Sequence, residues 1–269
     1  MADRPVDWRP LAGPLAAERA GEGRRIVFLH GFTQTGRSWR PVAEFFARVG
    51  HEVVLIDLPG HGGSDGLRAD PQVTADLIAR TAGPAAYVGY SLGGRMGLHL
   101  AITYPHIVER LALIGAHPGI VDETERAERR ASDDQLAIHI LDIGVPAFID
   151  EWIAQPLFSG LVVSDEDRAD RLRNTPDGLA WSLRLCGTGA QVPMWQRLME
   201  LNMPVLAMAG SLDEKFEPLA ERIALSVPDG TFAPIHGAGH AAHLQQPGQL
   251  ATRLELWLHA KERAVGIIR

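Results

Sequence analysis

Short apolar runs alternate with helical patterns through much of this sequence. Four of the runs have the composition of buried strands: IVFLH (26–30), EVVLIDLP (52–59), AAYVGYS (85–91) and ERLALIGA (109–116). Because each run is followed by an amphipathic stretch of helical period, the pattern predicts a doubly wound, mostly parallel sheet with helices on both faces. A chain of 269 residues is long enough for one large α/β domain that carries an insertion.

The alternation stops after residue 116 and resumes near residue 203. The intervening segment, 117–202, holds charged helical patterns and no strand pattern longer than a short LVV. Further patterns follow it: strands PVLAMAG (204–210) and TFAPIHGAGH (231–240), and a last helix from Gln249 to Arg263. We therefore expect a core made of residues 1–116 and 203–269, with residues 117–202 inserted as a helical lid.

Charge and cysteine content exclude several classes of protein. The net charge of −7 argues against a general nucleic-acid surface, so any anionic ligand must be held by a local cluster of cations. Cys186 is the single cysteine, which rules out an internal disulfide and a cysteine-based metal site. The start, MADRPVDWRP, has no apolar stretch typical of a signal peptide, and no run is long enough to span a membrane. These features predict a soluble, cytoplasmic protein that needs no metal or organic cofactor.

Reactive side chains follow three of the predicted strands. Ser91 lies in GYSLG, which fits the G-x-S-x-G turn between a strand and a helix, while Asp213 and His240 follow two later strands. The carboxyl ends of parallel strands meet at one edge of a sheet, so the three side chains should lie close together. In such a set the histidine takes the proton of the serine, and the acid holds the histidine tautomer. The order Ser, Asp, His is that of the α/β-hydrolase fold.

Other residues compete for these roles. Asp213 could be an ordinary turn or cap residue, and His236 and His243 lie close to His240 in the sequence. We select His240 because GAGH comes just after the last strand, in a loop that can reach inward. The backbone N–H groups of Phe32 and Leu92 are expected to form an oxyanion hole.

Arg95 ends the stretch GYSLGGR, four residues after Ser91. Residues spaced by four share a helix face, so Arg95 should point toward the same side as the serine. A cation near a helix N-terminus opposes the helix dipole. An arginine in this position therefore predicts an anionic ligand beside Ser91.

Eight segments together resemble one enzyme family: HGF (30–32), DLPGHGGS (57–64), GYSLGGR (89–95), HPG (117–119), ERAERRASD (125–133), EWIAQPLF (151–158), GSLDEKF (210–216) and GAGHAAH (237–243). Their order and spacing are similar to those of the 2-succinyl-6-hydroxy-2,4-cyclohexadiene-1-carboxylate synthase family of menaquinone biosynthesis. The resemblance covers residue 26 to the end of the chain.

The resemblance implies a lyase without a cofactor. Its Ser–His–Asp set removes a ring proton from a cyclohexene that carries succinyl, carboxylate and enolpyruvyl groups, and pyruvate leaves as a diene forms. The family pattern assigns the binding of this small tricarboxylate substrate to six residues: Tyr90, Arg95, Arg129, Trp152, Arg173 and Lys215. Because Arg129 and Arg130 are adjacent, the pattern leaves open which of the two binds the substrate.

Two other functions fit the same motifs. A carboxylesterase or carbon–carbon bond hydrolase of this fold would keep the triad without needing several arginines. A non-catalytic ligand-binding protein on this scaffold could also retain the triad. Turnover of a neutral ester would favour the first alternative, and tight binding without turnover would favour the second. The sequence carries no information on the oligomeric state.

Overall fold

A computed structural model describes residues 5–260 of the chain, and its centre is an eight-stranded sheet. The strands are β1 (Arg9–Pro10), β2 (Ala17–Ala20), β3 (Arg24–Leu29), β4 (His51–Ile56), β5 (Ala85–Tyr90), β6 (Val108–Ile114), β7 (Val205–Gly210) and β8 (Gly230–Ile235). They lie in the order β1-β2-β4-β3-β5-β6-β7-β8. The pairs from β4 to β8 are all parallel, whereas β1 and β2 add an antiparallel edge.

Helices cover both faces of the sheet, as the alternation predicts. They are α1 (Arg40–Arg48), α2 (Pro71–Ala82), α3 (Leu92–Thr103), α4 (Glu123–Ile153), α5 (Asp165–Arg171), α6 (Pro176–Cys186), α7 (Phe216–Ser226), α8 (Ala242–Gln245) and α9 (Pro247–Leu258). One buried cluster joins β3 to α2, α3 and α7, and the other joins β3 to α1 and α9. Alternate residues of β3 enter opposite clusters, with Val27 and Leu29 on one face and Ile26 and Phe28 on the other.

The segment between β6 and β7 is helical. It contains α4, α5 and α6, and the LVV run at 161–163 forms no strand. Gly144 has φ 76° and ψ 170°, so α4 consists of two helical parts that meet at this residue, two positions before Pro146. The second part of α4 packs against α6 through Phe148, Ile149 and Leu179, in a small apolar core separate from those of the sheet.

The sequence patterns located the central strands better than the edge of the sheet. The sequence predicts one edge strand, from about Trp8 to Leu11, and β1 lies inside it. It does not predict β2, because AERA lacks the apolar run of a buried strand. The last helix ends at Leu258 within the described chain, and positions 261–263 of the predicted helix lie outside the described residues. No helix among residues 5–260 is long and apolar enough to cross a membrane.

Candidate active site

Ser91 occupies a sharp turn between β5 and α3. Its backbone has φ 50° and ψ −107°, a conformation that is costly for any residue except glycine. The glycines of the motif make the turn sterically possible, because a Cβ at Gly93 would collide with the Leu29 carbonyl and one at Gly89 would collide with the Gly93 backbone. The N–H of Ser91 donates to the carbonyl of Ile114, which ties the turn to β6 at 2.8 Å. The serine is thus held at the carboxyl edge of the sheet.

Ser91, His240 and Asp213 form a continuous hydrogen-bonded chain. The Ser91 Oγ lies 3.3 Å from His240 Nε2, and His240 Nδ1 lies 2.7 Å from Asp213 Oδ2. The other carboxylate oxygen of Asp213 accepts the N–H of Phe216 at 3.1 Å, which fixes the orientation of the acid. This arrangement can take a proton from the serine and stabilise the resulting imidazolium.

The two competing histidines lie elsewhere. His236 is exposed, and the ring of His243 is stacked between Trp39 and Tyr90 at centroid distances of 4.6 Å and 4.3 Å. Burial lowers the pKa of His243 well below its usual range, so this ring is neutral. Of the three histidines near the end of β8, His240 is the one that contacts Ser91.

Two backbone amides next to the serine have no protein acceptor. Within residues 5–260, neither the N–H of Phe32 nor that of Leu92 donates to another protein group. Leu92 is the first residue of α3, where helix N–H groups are unsatisfied and the helix dipole is positive. Phe32 follows β3, and its ring packs against Trp152 with centroids 5.2 Å apart. These amides are suited to hold a developing negative charge.

A cleft of about 860 Å³, including its open mouth, lies between this edge of the sheet and the inserted helices. The predicted residues that line it are Phe32, Tyr90, Ser91, Leu92, Arg95, Arg129, Trp152, Lys215 and His240. Asp213 lies behind His240, where the triad geometry requires it. The structure therefore brings together nearly the whole set that the sequence predicts.

Four cations line the cleft: Arg95, Arg129, Arg171 and Lys215. Among the residues that the structure describes, no Asp or Glu lines it. The cleft is therefore strongly cationic, although the net charge of the chain is −7. Local charge of this kind favours an anionic ligand.

Arg95 is a buried cation with neutral partners. Its Nη1 donates to the Cys186 carbonyl at 2.6 Å and to Gln191 Oε1 at 3.1 Å, both in the inserted segment. Within the described part of the chain it forms no ion pair with a carboxylate. Burial lowers the pKa of Arg95 to about 10, which still leaves it charged at neutral pH. A carboxylate entering the cleft would supply the missing counter-charge.

The adjacent arginines of α4 have different surroundings. Arg129 lines the cleft and its Nε donates to Asp133 at 2.8 Å, one helical turn away. Arg130 is exposed and does not line the cleft. Of these two arginines, Arg129 is the one that lines the cleft.

Arg173, which the family pattern assigns to substrate binding, is not among the described residues that line the cleft. Its guanidinium pairs with Asp170 at 2.9 Å and lies 3.7 Å from Asp57, on the far side of the loop that follows β3. The cation that enters the cleft from this region is Arg171, whose side chain is 2% exposed. Arg171 is the last residue of α5 and Arg173 lies two residues beyond it, so charge alone could not distinguish the two.

His117 lines the cleft and was given no role from the sequence. Its Nδ1 accepts the N–H of Gly119 at 3.0 Å, so its proton sits on Nε2. Burial and the nearby cations Lys215, Arg95 and Arg129 lower the pKa of His117 to about 4. The ring is thus a neutral hydrogen-bond donor, and the only sequence signal for it was the HPG motif.

The strained turn leads to a prediction that separates stability from function. We expect Ser91→Gly to raise the free energy of unfolding by about 1 kcal/mol, because glycine tolerates the positive φ of this position. The same change removes the hydroxyl and should abolish turnover. Urea unfolding of the two proteins measures the effect, and a Ser91→Gly protein less stable than wild type would show that the turn is not strained.

Two buried histidines predict a loss of stability in acid. Burial lowers the pKa of His30 to about 4 and that of His61 to about 3, against 6.5 in the unfolded chain. The unfolded state therefore binds protons first, and stability is lost as the pH falls through 6.5 toward 4. We expect each residue to cost about 2 kcal/mol between about pH 7.5 and pH 5. Urea unfolding at both pH values tests this, and His61→Gln should remove about half of the loss from this pair.

A family model described as the alpha/beta hydrolase family matches residues 26–253. A 2-succinyl-6-hydroxy-2,4-cyclohexadiene-1-carboxylate synthase of Salmonella newport (strain SL254) is 35% identical over 237 residues, which are 85% of this chain and 91% of that protein. The chain belongs to this synthase family, within the α/β hydrolases.

Solved structures agree with this membership. The structure of MenH from S. aureus superposes with a TM-score of 0.82 at 31% identity, over 92% of this chain and 98% of that one. A thermophilic esterase from Thermogutta terrifontis also superposes, with a TM-score of 0.77 at 22% identity over 94% and 98% of the two chains. The second likeness shows the shared fold only. No group of three or more His, Cys, Asp or Glu side chains within residues 5–260 could hold a metal ion.

Proposed function

We propose that this chain catalyses the synthase reaction of its family by eliminating pyruvate from 2-succinyl-5-enolpyruvyl-6-hydroxy-3-cyclohexene-1-carboxylate. The single observation that carries the proposal is a cleft that, among the described residues, is lined by four cations and no carboxylate and is centred on a serine hydrogen-bonded to a histidine. A substrate with three carboxylates needs such a surface, whereas a neutral ester does not.

The bonds that change follow from the substituents of the ring. Removal of the proton at ring carbon 2 is helped by the adjacent succinyl ketone, which can accept the electron pair as an enolate. A double bond then forms between carbons 2 and 3, the existing one moves to carbons 4 and 5, and the bond from carbon 5 to the enolpyruvyl oxygen breaks. The products are pyruvate and the 2,4-diene, so no oxidant, reductant or water is consumed.

Each part of the proposed site has one task in this reaction. The Ser91–His240–Asp213 set removes the proton, with Asp213 holding the His240 tautomer. The amides of Phe32 and Leu92 stabilise the enolate oxygen as its charge develops.

The remaining groups bind and orient the substrate. Arg95, Arg129 and Lys215 hold the three carboxylates. Tyr90 and Trp152 form apolar walls for the ring. The inserted segment carries Arg129, Arg171 and Trp152, so we propose that it acts as a lid that excludes water during elimination.

A side-by-side assay tests the proposal against the hydrolase alternative. The protein is given the enolpyruvyl cyclohexene in one set of reactions and uncharged aryl esters of short acids in another. We expect kcat/KM for the cyclohexene to exceed that for any of the esters by at least about 100-fold, because only the tricarboxylate uses the cations. Efficient ester hydrolysis with no pyruvate release would instead assign a hydrolase function to the same triad.

A further inference from the structure

Thr33 is the residue directly after Phe32, and its backbone is strained. Its φ is 69°, and it shares a positive φ with only one other non-glycine residue of the described chain, Ser91. A β-branched side chain in this region is rare because it meets the neighbouring backbone. Such a conformation persists only where the surrounding contacts hold it.

Two buried residues of the inserted segment hold Thr33. Arg171 Nη1 donates to Thr33 Oγ1 at 2.6 Å, and Asn174 Nδ2 donates to the Thr33 carbonyl at 2.7 Å. Both residues are nearly inaccessible, with 2% of Arg171 and 5% of Asn174 exposed. Short hydrogen bonds at buried positions are rigid, because water cannot replace them.

The two holding residues are themselves fixed. Arg171 Nε pairs with Asp167 at 2.9 Å, one turn earlier in α5. Asn174 Nδ2 also donates to the Arg171 carbonyl at 2.9 Å, and its Oδ1 accepts the N–H of Gly62 at 2.9 Å. Two residues after Thr33 in the same loop, the Thr35 hydroxyl donates to Asp170 at 2.7 Å. Residues 170–174 therefore form a rigid clamp on residues 33–35.

We infer that this clamp sets the direction of the Phe32 amide, so that the inserted segment positions one half of the oxyanion hole. Asn174 holds the Thr33 carbonyl, and the same planar peptide carries the N–H of Gln34. That N–H donates to the Gly31 carbonyl at 3.1 Å, and the planar Gly31–Phe32 peptide carries the amide of Phe32. Arg171 and Asn174 act here as positioning residues through Thr33. The inference rests on the proposed function at one point, which is that the negative charge stabilised by the Phe32 amide belongs to the enolate.

Isosteric changes at Thr33 test the inference. Thr33→Val removes the oxygen that Arg171 binds, whereas Thr33→Ser keeps it and serves as the matched control. A misdirected oxyanion donor stabilises the transition state less but leaves binding of the substrate in its ground state unchanged. We therefore expect kcat for pyruvate release to fall by about 10- to 100-fold in Thr33→Val. KM should stay within about threefold of wild type, and Thr33→Ser should behave like wild type.

Asn174→Ala provides a second route that leaves both Thr33 and the cleft cations in place. It should lower kcat in the same way. In the Thr33→Val/Asn174→Ala double variant, the factor by which kcat falls should be smaller than the product of the two single factors, because both changes release the same loop. A kcat for both single variants equal to that of Thr33→Ser would overturn the inference. A rise in KM with unchanged kcat would also overturn it, since that result assigns the clamp to substrate binding.

A probe that does not need the cyclohexene separates this inference from the proposed function. The rate at which a fluorophosphonate modifies Ser91 depends on the oxyanion hole, so it should fall in Thr33→Val and not in Thr33→Ser. Equal rates in the three proteins, including no reaction in any of them, would overturn the inference. A wild-type protein that reacts with the probe but releases no pyruvate would end the proposed function while leaving this comparison intact.

Discussion

Ser91→Ala is expected to release pyruvate at least about 100-fold more slowly than wild type, with the fold intact. His240→Ala and Asp213→Asn should lower kcat by comparable or larger factors, because the three groups form one hydrogen-bonded chain. Steady-state kinetics measure the loss, and thermal unfolding checks the fold. His236→Ala is the matched control, since this exposed histidine lies four residues from His240 and contacts none of the three.

The triad changes should be strongly non-additive. Once Ser91 is gone, removing His240 should cost little more, because the histidine acts through the serine. Kinetics of the Ser91→Ala/His240→Ala double variant give this comparison. A folded Ser91→Ala protein with near-normal turnover would contradict the assignment of the triad.

Arg95→Ala is expected to lower kcat/KM for the tricarboxylate by about two to three decades. Breaking a buried charge pair costs about 3–5 kcal/mol, and each 1.36 kcal/mol is about tenfold in rate. Arg95→Lys should rescue only part of the loss, because a point charge replaces a two-pronged donor. Hydrolysis of an uncharged ester, where it can be measured, should change little.

The contacts of Arg95 require a separate check on stability. Because Arg95 also donates to the Cys186 carbonyl and to Gln191, its removal leaves buried acceptors unsatisfied and should cost about 1–3 kcal/mol of unfolding free energy. Arg130→Ala serves as the control on the neighbouring exposed arginine and should leave kcat/KM unchanged. A marked fall in melting temperature with almost no kinetic effect would make Arg95 a purely structural link to the inserted segment.

The sheet and the triad could be predicted because their signals are local. Each parallel strand is a short apolar run, and the reactive side chain follows it within a few residues, so chain order alone predicts a shared edge. The turn at Ser91 requires glycine on both sides because a Cβ there would collide with the backbone, so the sequence itself indicates the turn. Strand β2 has no such signal, since it is defined by its antiparallel pairing with β1 and β4.

The cation set could be predicted only in part. Arg95 lies one helical turn after Ser91, so its direction follows from that spacing. Arg129 lies on the face of α4 that lines the cleft. Arg171 is the last residue of α5 and Arg173 lies two residues beyond it, and the contacts of both side chains depend on Thr33 and Thr35, residues more than a hundred positions away. A contact of that range cannot be read from the spacing of charges, and the arginine that lines the cleft from this region is not the one that the family pattern assigns.

The most direct test of the proposed elimination is to follow pyruvate and the conjugated diene together in one reaction with the enolpyruvyl cyclohexene. The proposed chemistry predicts one pyruvate for each diene, with both formed at the same rate and both abolished in Ser91→Ala. Chelation should leave the rate unchanged, because proton removal here uses only side chains and the electron-accepting ketone. Consumption of the cyclohexene without diene, or turnover that persists in Ser91→Ala, would contradict the account.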